Sequence, residues 1–154
     1  MIKINVILDN KNWIKYLTNP SSFINKKVKL INRKNKLYKN NLLICSLILS
    51  KTSEIKKLNK KFRNINKSTD VLSFPFYEKN HLRKKIKTEK EIYLGDIIIN
   101  LSKIKNKINK EKFNNELNKL WVHGLVHLFG YRHKKNKDYY SMNQVEKKYL
   151  QYIS

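Results

Sequence analysis

Apolar and polar positions alternate along the chain in segments that predict strands. In residues 1–8 the apolar side chains fall at every second position, which is typical of a half-exposed strand. Residues 42–50 are almost continuously apolar and predict a buried strand. Residues 70–76 predict a strand that is short or lies at a sheet edge, because their proline has no N–H to donate to a ladder. Residues 91–100 predict a further strand, in which Gly95 indicates a bulge or a close backbone approach.

Helical periodicity appears after the second strand and dominates the C-terminal third. Thr52 or Ser53 is predicted to cap a helix, and the apolar stripe of that helix consists of Ile55, Leu58 and Phe62. Further helices are predicted over residues 12–17, 101–108, 110–129 and 138–153. The predicted inward side chains of the last two are Phe113, Leu117, Leu120, Trp121, Leu125 and Leu128, and Met142, Val145, Tyr149, Tyr152 and Ile153.

Other segments carry no clear helix or strand pattern. Residues 19–22 (NPSS) are a turn signal, and the basic residues 23–40 are too weakly patterned to assign. Residues 77–90 are predicted to be a charged loop in which His81 is solvated. Because the chain shows neither an internal repeat nor a linker, residues 1–154 are predicted to form a single domain.

The composition is compatible with one domain that has its own core. Hydrophobic residues make up 40% of the chain, which is enough for a core without disulfides. Cys45 is the single cysteine and lies in an apolar run, so we predict a small core residue in a reducing compartment. The N-terminus lacks signal-peptide features, and the longest apolar run falls far short of the roughly 20 residues of a membrane span. We therefore expect a cytoplasmic protein without a membrane partner.

The chain is strongly basic. It has 35 Lys and Arg against 11 Asp and Glu, which gives a net charge of +24. Such a field favours an anionic partner such as nucleic acid, an acidic membrane surface or an acidic protein. The chain is also rich in Lys, Asn, Ile, Tyr and Phe, whose codons are AT-rich, and we interpret this as a base-composition bias. The charge therefore supports a nucleic-acid partner without establishing one.

Three of the four histidines lie in one motif, HGLVHLFGYRH, at residues 123–133. His123 and His127 are four residues apart on a predicted helix, so both rings leave the same face and can bind one ion at about 2.0–2.1 Å. Gly130 is predicted to end the helix in a left-handed conformation, and the returning chain then brings His133 to the ion. Three imidazoles leave one tetrahedral position open, as in catalytic zinc sites. We predict one Zn²⁺ per chain, although such a site suits several divalent metals.

The histidine spacing also occurs in the metzincin proteases, which have the motif H-E-x-x-H-x-x-G-x-x-H. Those enzymes use the glutamate after the first histidine as general base, and that position is Gly124 here. Glu116 and Glu146 can lie nearby, but the motif places neither of them. Proteolysis by this route is therefore disfavoured. A chance cluster of histidines on an amphipathic helix is the remaining alternative, and the glycine at the required turn argues against it.

The histidine motif resembles the H-G-x-x-H-x-x-G-Y-D-H signature of the bacterial YbeY family of endoribonucleases and rRNA maturation factors. Two further blocks agree with the family in order, namely residues 58–63 (LNKKFR) followed by 69–75 (TDVLSFP), and residues 94–97 (LGDI). The resemblance implies an α+β fold, a single compact domain in which a small mixed β-sheet packs with helices. It also places a zinc site at the end of a long helix. With the patterns above, this gives about four strands and about five helices.

The family resemblance also implies a function and a set of site residues. It implies zinc-dependent, single-strand-specific cleavage of RNA in 16S rRNA 3′-end maturation and ribosome quality control. By position in the motifs, His123, His127 and His133 are expected to be the metal ligands, and Arg63 and His123 the catalytic residues. Arg63 is expected to hold a phosphate oxygen in the transition state. The expected partners are ribosomal RNA and the small ribosomal subunit, with ribosomal proteins or an assembly GTPase as further candidates.

Two positions depart from the family pattern. Arg132 replaces the usual Asp of G-Y-D-H, and Ser68 replaces a proline. The lost carboxylate would weaken metal binding if it oriented a ligand, whereas a cation there can help to hold phosphate. Asp70 and Asp96 are further candidates to orient a histidine or pair with Arg63, or else to cap a turn or helix. A non-enzymatic ribosome assembly factor with a structural zinc also stays open as an alternative function.

Overall fold

The computed structural model describes residues 1–133 and 136–154. Strands and helices alternate along most of the chain. They are β1 (Ile2–Leu8), α1 (Pro20–Lys34), β2 (Leu42–Ser50), α2 (Thr52–Arg63), β3 (Val71–Pro75), α3 (Lys79–Thr88), β4 (Glu91–Asn100), α4 (Lys110–Leu128) and α5 (Asn136–Ile153). Single 3₁₀ turns at Lys11–Lys15 and Leu101–Lys103 follow β1 and β4.

The four strands form one mixed sheet in the order β1-β2-β4-β3. β1, β2 and β4 are parallel, and β3 pairs antiparallel with β4 at the edge. The predicted α+β class, with a small mixed sheet and five helices, is confirmed. Gly95 has a φ of +129°, and a Cβ there would lie 2.1 Å from the Phe74 carbonyl oxygen. The close backbone approach predicted at this glycine is therefore confirmed, and the β2–β4 register shifts beside it.

One face of the sheet carries the main core. Alternate residues of the central strand β2 point into it and are fully buried, as the period-two pattern requires: Leu43, Cys45, Leu47 and Leu49. Helices α1 and α4 cover this face, α5 packs on both of them, and the predicted inward sides of α4 and α5 face the core. Burial raises the pKa of the Cys45 thiol to about 12, so it behaves as the small core residue that the sequence predicts.

The turn signal at residues 19–22 is the start of a helix. The Asn19 side chain accepts a hydrogen bond from the Ser22 N–H, and Pro20 occupies the first helical position. Ile24, Val28 and Ile31 then form the buried stripe of α1, within the segment that the sequence pattern left unassigned. The cap residues were read as a turn because the same residue types favour both structures.

The prediction of a charged loop over residues 77–90 is wrong. Residues Lys79–Thr88 form α3, which fully buries only Leu82, packs the half-buried Ile86 on the core and exposes His81. One buried residue leaves no visible apolar stripe, so the helix is hidden among lysines in the sequence. His81 is exposed, as predicted, but it lies on a helix.

Three smaller predictions also differ from the structure. The helix predicted over residues 101–108 is a single 3₁₀ turn at Leu101–Lys103. Thr52 begins α2 but makes no capping bond, since its hydroxyl bonds to the Asn100 side chain. Phe62 is not part of the buried stripe of α2, because it is 59% exposed. In the part of the chain that the structure describes, we find no helix with both the length and the apolar character for a membrane crossing.

Candidate metal centre

The C-terminal turn of α4 places two histidine rings on one face. His123 and His127 are one helical turn apart, and their Nε2 atoms lie 3.1 Å from each other. The helix ends immediately afterwards, because Gly130 adopts a φ of +84° and its N–H donates to the His127 carbonyl oxygen at 2.9 Å. The helix stop that the sequence predicts at this glycine is confirmed.

The turn after Gly130 returns His133 to the same place. Its ring centroid lies 5.9 Å from that of His123 and 5.1 Å from that of His127. Each of the three residues offers a nitrogen within 4.8 Å of the others, and among the described residues this is the one such group of metal-binding side chains. The two rings on α4 are half-buried and that of His133 is exposed, so the site is open on the His133 side.

Hydrogen bonds hold the outer nitrogens of both rings on α4. The Nδ1 atom of His123 lies 2.6 Å from a carboxylate oxygen of Glu146 on α5. The Nδ1 atom of His127 lies 2.8 Å from the Tyr131 carbonyl oxygen. Both partners are acceptors, so both Nδ1 atoms carry the proton and both Nε2 atoms present lone pairs.

This arrangement fits a bound cation. Two lone pairs facing each other at 3.1 Å repel unless a positive charge lies between them. Two nitrogens on one tetrahedral zinc, each about 2.0–2.1 Å from the ion, lie roughly 3.3–3.4 Å apart, which is close to the observed distance. The donor set of three imidazoles is also one that zinc accepts.

The environment keeps His127 neutral. Burial, with a smaller contribution from the nearby His123, lowers the pKa of His127 to about 4, although the hydrogen bond to Tyr131 opposes the shift. A neutral imidazole is the form that binds metal. His127 is therefore ready to act as a ligand at neutral pH without first losing a proton.

The glycine at position 124 has a packing role. A Cβ at Gly124 would lie 2.5 Å from Cγ2 of Ile97 and 3.2 Å from Oγ of Ser73, so α4 rests directly on the sheet there. A side chain at this position would point into the sheet and away from the histidines. A glutamate at position 124, as in the proteases, would therefore clash with Ile97.

Arg132 does not contact the histidines in the described structure. Its guanidinium lies 4.0 Å from the carboxylate of Glu78, the residue before α3, and both side chains are exposed. Gly130 explains why α3 is so close, since a Cβ there would lie 2.7 Å from Cα of Lys79. Arg132 thus borders a cavity of about 300 Å³ between the start of α3 and the turn that carries His133.

The two aspartates proposed to orient a histidine are engaged elsewhere. Asp70 accepts hydrogen bonds from the Thr69 hydroxyl and the Val71 N–H. Asp96 accepts one from the Tyr93 hydroxyl at 2.6 Å. Asp70 therefore binds the backbone at the start of β3, and the carboxylate in contact with a histidine is that of Glu146.

Arg63 lies at the sheet edge next to the strand that α4 covers. It is exposed, and one guanidinium nitrogen donates to the Ser73 carbonyl oxygen at 3.4 Å. The Ser73 side chain faces Gly124, the neighbour of His123. One hydrogen bond leaves the remaining guanidinium donors of Arg63 available to a phosphate.

Glu146 is the site residue that the sequence did not assign. The motif ends 13 positions before it, and no spacing rule connects the two. The available signal was weak: Glu146 is one of only 11 acidic residues, and it stands next to Val145 on the inward side of a predicted helix. Only the packing of α5 on α4 shows that it contacts His123.

Comparison with known proteins gives one consistent result. A family model described as Endoribonuclease YbeY matches residues 7–154. The Endoribonuclease YbeY of Pelagibacter ubique is 40% identical over 149 residues, which cover 95% of this chain and 92% of that protein. The protein of the same name from Ehrlichia canis is 30% identical over 97% of this chain and 91% of its own length. The solution structure of a Thermotoga maritima protein has a TM-score of 0.58 at 28% identity and covers 99% of this chain and 89% of that one.

Proposed function

Because this chain belongs to the endoribonuclease YbeY family, we propose that it is a zinc-dependent endoribonuclease that hydrolyses phosphodiester bonds in single-stranded RNA. One observation supports the metal dependence above all others. The nitrogens of His123, His127 and His133 lie within 4.8 Å of one another, and those of the first two are turned inward by hydrogen bonds on their outer sides.

Each residue at this site has a different role in the proposed reaction. His123, His127 and His133 hold the zinc, and Glu146 fixes the ring of His123. When bound, zinc supplies Lewis acidity towards a phosphoryl oxygen and acidifies water. Arg63 binds a non-bridging phosphate oxygen and offsets the negative charge that develops in the transition state.

The chain offers no clear general base among its described residues. Glu146, the acid in contact with the site, is already hydrogen-bonded to His123 at 2.6 Å. A site of this kind is a weak hydrolase on its own, so turnover is expected to be slow with free RNA and faster on the ribosome. This expectation agrees with a maturation enzyme that acts once on each substrate molecule.

The biological substrate we propose is the 3′ end of 16S rRNA, with a further role in ribosome quality control. The small ribosomal subunit is then the partner, together with ribosomal proteins or an assembly GTPase, and the reaction takes place in the cytoplasm. The net charge of +24 supports a polyanionic substrate of this kind.

Cleavage of a single-stranded rRNA fragment by the purified chain, with one equivalent of zinc, tests the proposal. His123→Ala and Arg63→Glu should each abolish cleavage, and Arg63→Glu should keep its metal. His81→Ala, on the exposed face of α3, is the matched control and should cleave normally. Cleavage by Arg63→Glu at the wild-type rate would disprove the role of the arginine. Less than about half an equivalent of any transition metal in protein purified without chelator would contradict the metal site.

A further inference from the structure

The second face of the sheet is only partly covered. Helix α2 lies on one end of it, where Ile55, Leu72 and Ile98 form a small buried cluster. Towards the other end of β3 and β4 the same face carries exposed rings, with Phe76 65% and Tyr93 38% exposed. Phe62, at the end of α2, is 59% exposed. Among the described residues, large aromatic groups therefore face solvent beside a buried core.

These rings form two neighbouring pairs on one face, which we call the aromatic platform and which consists of Phe62, Phe74, Phe76 and Tyr93. The ring centroids of Phe62 and Phe74 are 5.3 Å apart, and those of Phe76 and Tyr93 are 6.1 Å apart. Phe74 and Phe76 are two positions apart along the same extended segment and so share one face. The half-buried Phe74 packs on the α2 cluster and anchors the aromatic platform.

Positive charge flanks one end of the aromatic platform. Lys60, Lys61 and Arg63 are all exposed in the last turn of α2. The ammonium group of Lys61 lies 5.3 Å from the ring centroid of Phe62. Asp96, an acid on this face, accepts a hydrogen bond from the Tyr93 hydroxyl. Exposed aromatic rings next to cations are the features with which proteins bind single-stranded nucleic acid, because bases stack on rings while cations contact phosphates.

The free edge of β3 argues against a protein strand as the occupant. In the pairing with β4, the backbone groups of alternate residues point outward, namely those of Val71, Ser73 and Pro75. The Val71 N–H is bonded to the Asp70 side chain, and the Ser73 carbonyl oxygen accepts from Arg63. The proline has no N–H to offer. An added strand would therefore find three of the six outward backbone positions engaged or without a donor, which disfavours strand addition at this edge.

The edge strand β3 separates the aromatic platform from the metal centre. Phe74 points to the α2 side of the sheet, whereas the side chain of the preceding Ser73 points to the α4 side, where it faces Gly124, which follows His123. Beyond β3 the chain runs from Phe76 to Lys79 in three residues, and Lys79 packs on Gly130 between His127 and His133. RNA on the aromatic platform can therefore reach the histidines by crossing the free edge of β3, where Arg63 bonds to the Ser73 carbonyl oxygen.

We propose that the aromatic platform binds the bases of single-stranded RNA by stacking and so positions the strand for cleavage at the histidines. The proposal rests on the endoribonuclease function proposed above and adds the place where the substrate's bases bind. A duplex hides its base faces within its own stack, so the aromatic platform also provides selectivity for single strands.

Binding of two probes tests this proposal. One is a fluorescent 2′-O-methyl oligonucleotide of about 12 nucleotides, and the other is an abasic chain of equal length and charge. Phe76→Ala and Tyr93→Ala should each weaken binding of the first probe about tenfold or more and leave the second unchanged. Phe76→Tyr and Tyr93→Phe keep a ring and should bind like wild type. Leu37→Ala, an exposed apolar residue outside the aromatic platform, is the matched control.

The outcomes separate this proposal from the proposed function. Unchanged affinity in both alanine variants, or an equal loss for the abasic probe, would overturn the platform. So would a change of oligomeric state in Phe76→Ala with unchanged RNA affinity, because the rings would then bind another protein copy. If the wild-type chain cleaves no RNA and yet shows the ring-dependent binding, the endoribonuclease proposal fails while the platform stands. His123→Ala should lose cleavage and keep its affinity for the probe.

Discussion

At the scale of single residues, the metal centre depends on which nitrogen of each imidazole carries a proton. A histidine ring has two nitrogens, and an acceptor on Nδ1 leaves Nε2 free for a metal. The two acceptors differ here, since His123 faces the Glu146 carboxylate and His127 faces a backbone carbonyl oxygen. A carboxylate partner fixes the orientation of a metal-binding imidazole, so we expect His123 to depend on Glu146 for part of its affinity for metal.

Removal of the Glu146 carboxylate should therefore weaken metal binding. We expect Glu146→Ala to raise the dissociation constant for zinc about 10- to 100-fold, and Glu146→Gln to have a smaller effect because its amide oxygen still accepts from Nδ1. Competition with a chromophoric chelator measures the affinity. The control is Glu116→Gln, which alters a carboxylate on α4 that binds the backbone of Lys105 and Asn106. Equal affinity in wild type and Glu146→Ala would show that the contact has no role in metal binding.

His127 should make the stability of the metal-free chain depend on pH. Its folded pKa of about 4 lies below the 6.5 of an unfolded histidine, so protonation favours unfolding. The stabilisation is complete above about pH 6.5 and is lost as the pH falls towards 4. Urea unfolding of chelator-treated protein at about pH 7.5 and about pH 5 should show this loss, and His127→Gln should show less of it. His81→Gln, at an exposed site, should retain the wild-type dependence.

At the scale of elements, asparagine begins many of the helical segments. The side chains of Asn10, Asn19, Asn100 and Asn109 each accept a hydrogen bond from a backbone N–H two or three residues further on. Asparagine is among the preferred N-cap residues. A composition that favours asparagine therefore provides helix starts without the serine, threonine or aspartate that usually mark them.

The cap of α1 allows a direct test of this idea. Asn19→Ala removes the acceptor for the Ser22 N–H and should lower the free energy of unfolding by about 0.5–2 kcal/mol. Ser21→Ala changes an exposed residue in the same turn and should stay within about 0.5 kcal/mol of wild type. Urea denaturation measures both. Equal stability of the two variants would show that Pro20 alone is sufficient to begin the helix.

At the scale of the whole molecule, the open question is how much of the charge of +24 serves RNA binding. Lysines that contact phosphates release counterions on binding, whereas lysines that arise from base composition do not. Lys60 and Lys61 flank the aromatic platform, while Lys26 and Lys29 are exposed on α1, which packs against β1 at the opposite edge of the sheet. The two pairs carry equal charge and differ only in position.

Neutralising each pair should give different salt dependences. Lys60→Gln with Lys61→Gln should reduce the slope of log affinity against log salt by about 1.4, at roughly 0.7 per lost contact with single-stranded RNA. Lys26→Gln with Lys29→Gln should leave the slope unchanged. Titrations of a single-stranded oligonucleotide at several salt concentrations measure it. An equal reduction by both pairs would mean that the overall field, and not the platform, attracts the RNA.

The sequence by itself determined the four strands, the long helix α4, its end at Gly130 and the three clustered histidines. Each of these depends on residues close together in the chain, through period-two burial, helical spacing or the left-handed conformation of one glycine. It also carried the family motifs, which the comparisons confirm over residues 7–154. The sequence did not predict helices with a weak apolar pattern, namely α3 with its one buried leucine and α1 with its asparagine cap.

Only the tertiary structure decided which distant groups meet. The contact of Glu146 with His123 joins positions 23 apart in sequence, and it exists because α5 packs on α4. In the same way, Arg63 meets the edge of β3, Gly124 rests on Ile97, and Phe62 on α2 joins the rings of β3 and β4. The physical reason is that periodicity shows which face of an element is apolar but does not specify which other face it packs against. The partners of charged and aromatic side chains follow from that packing.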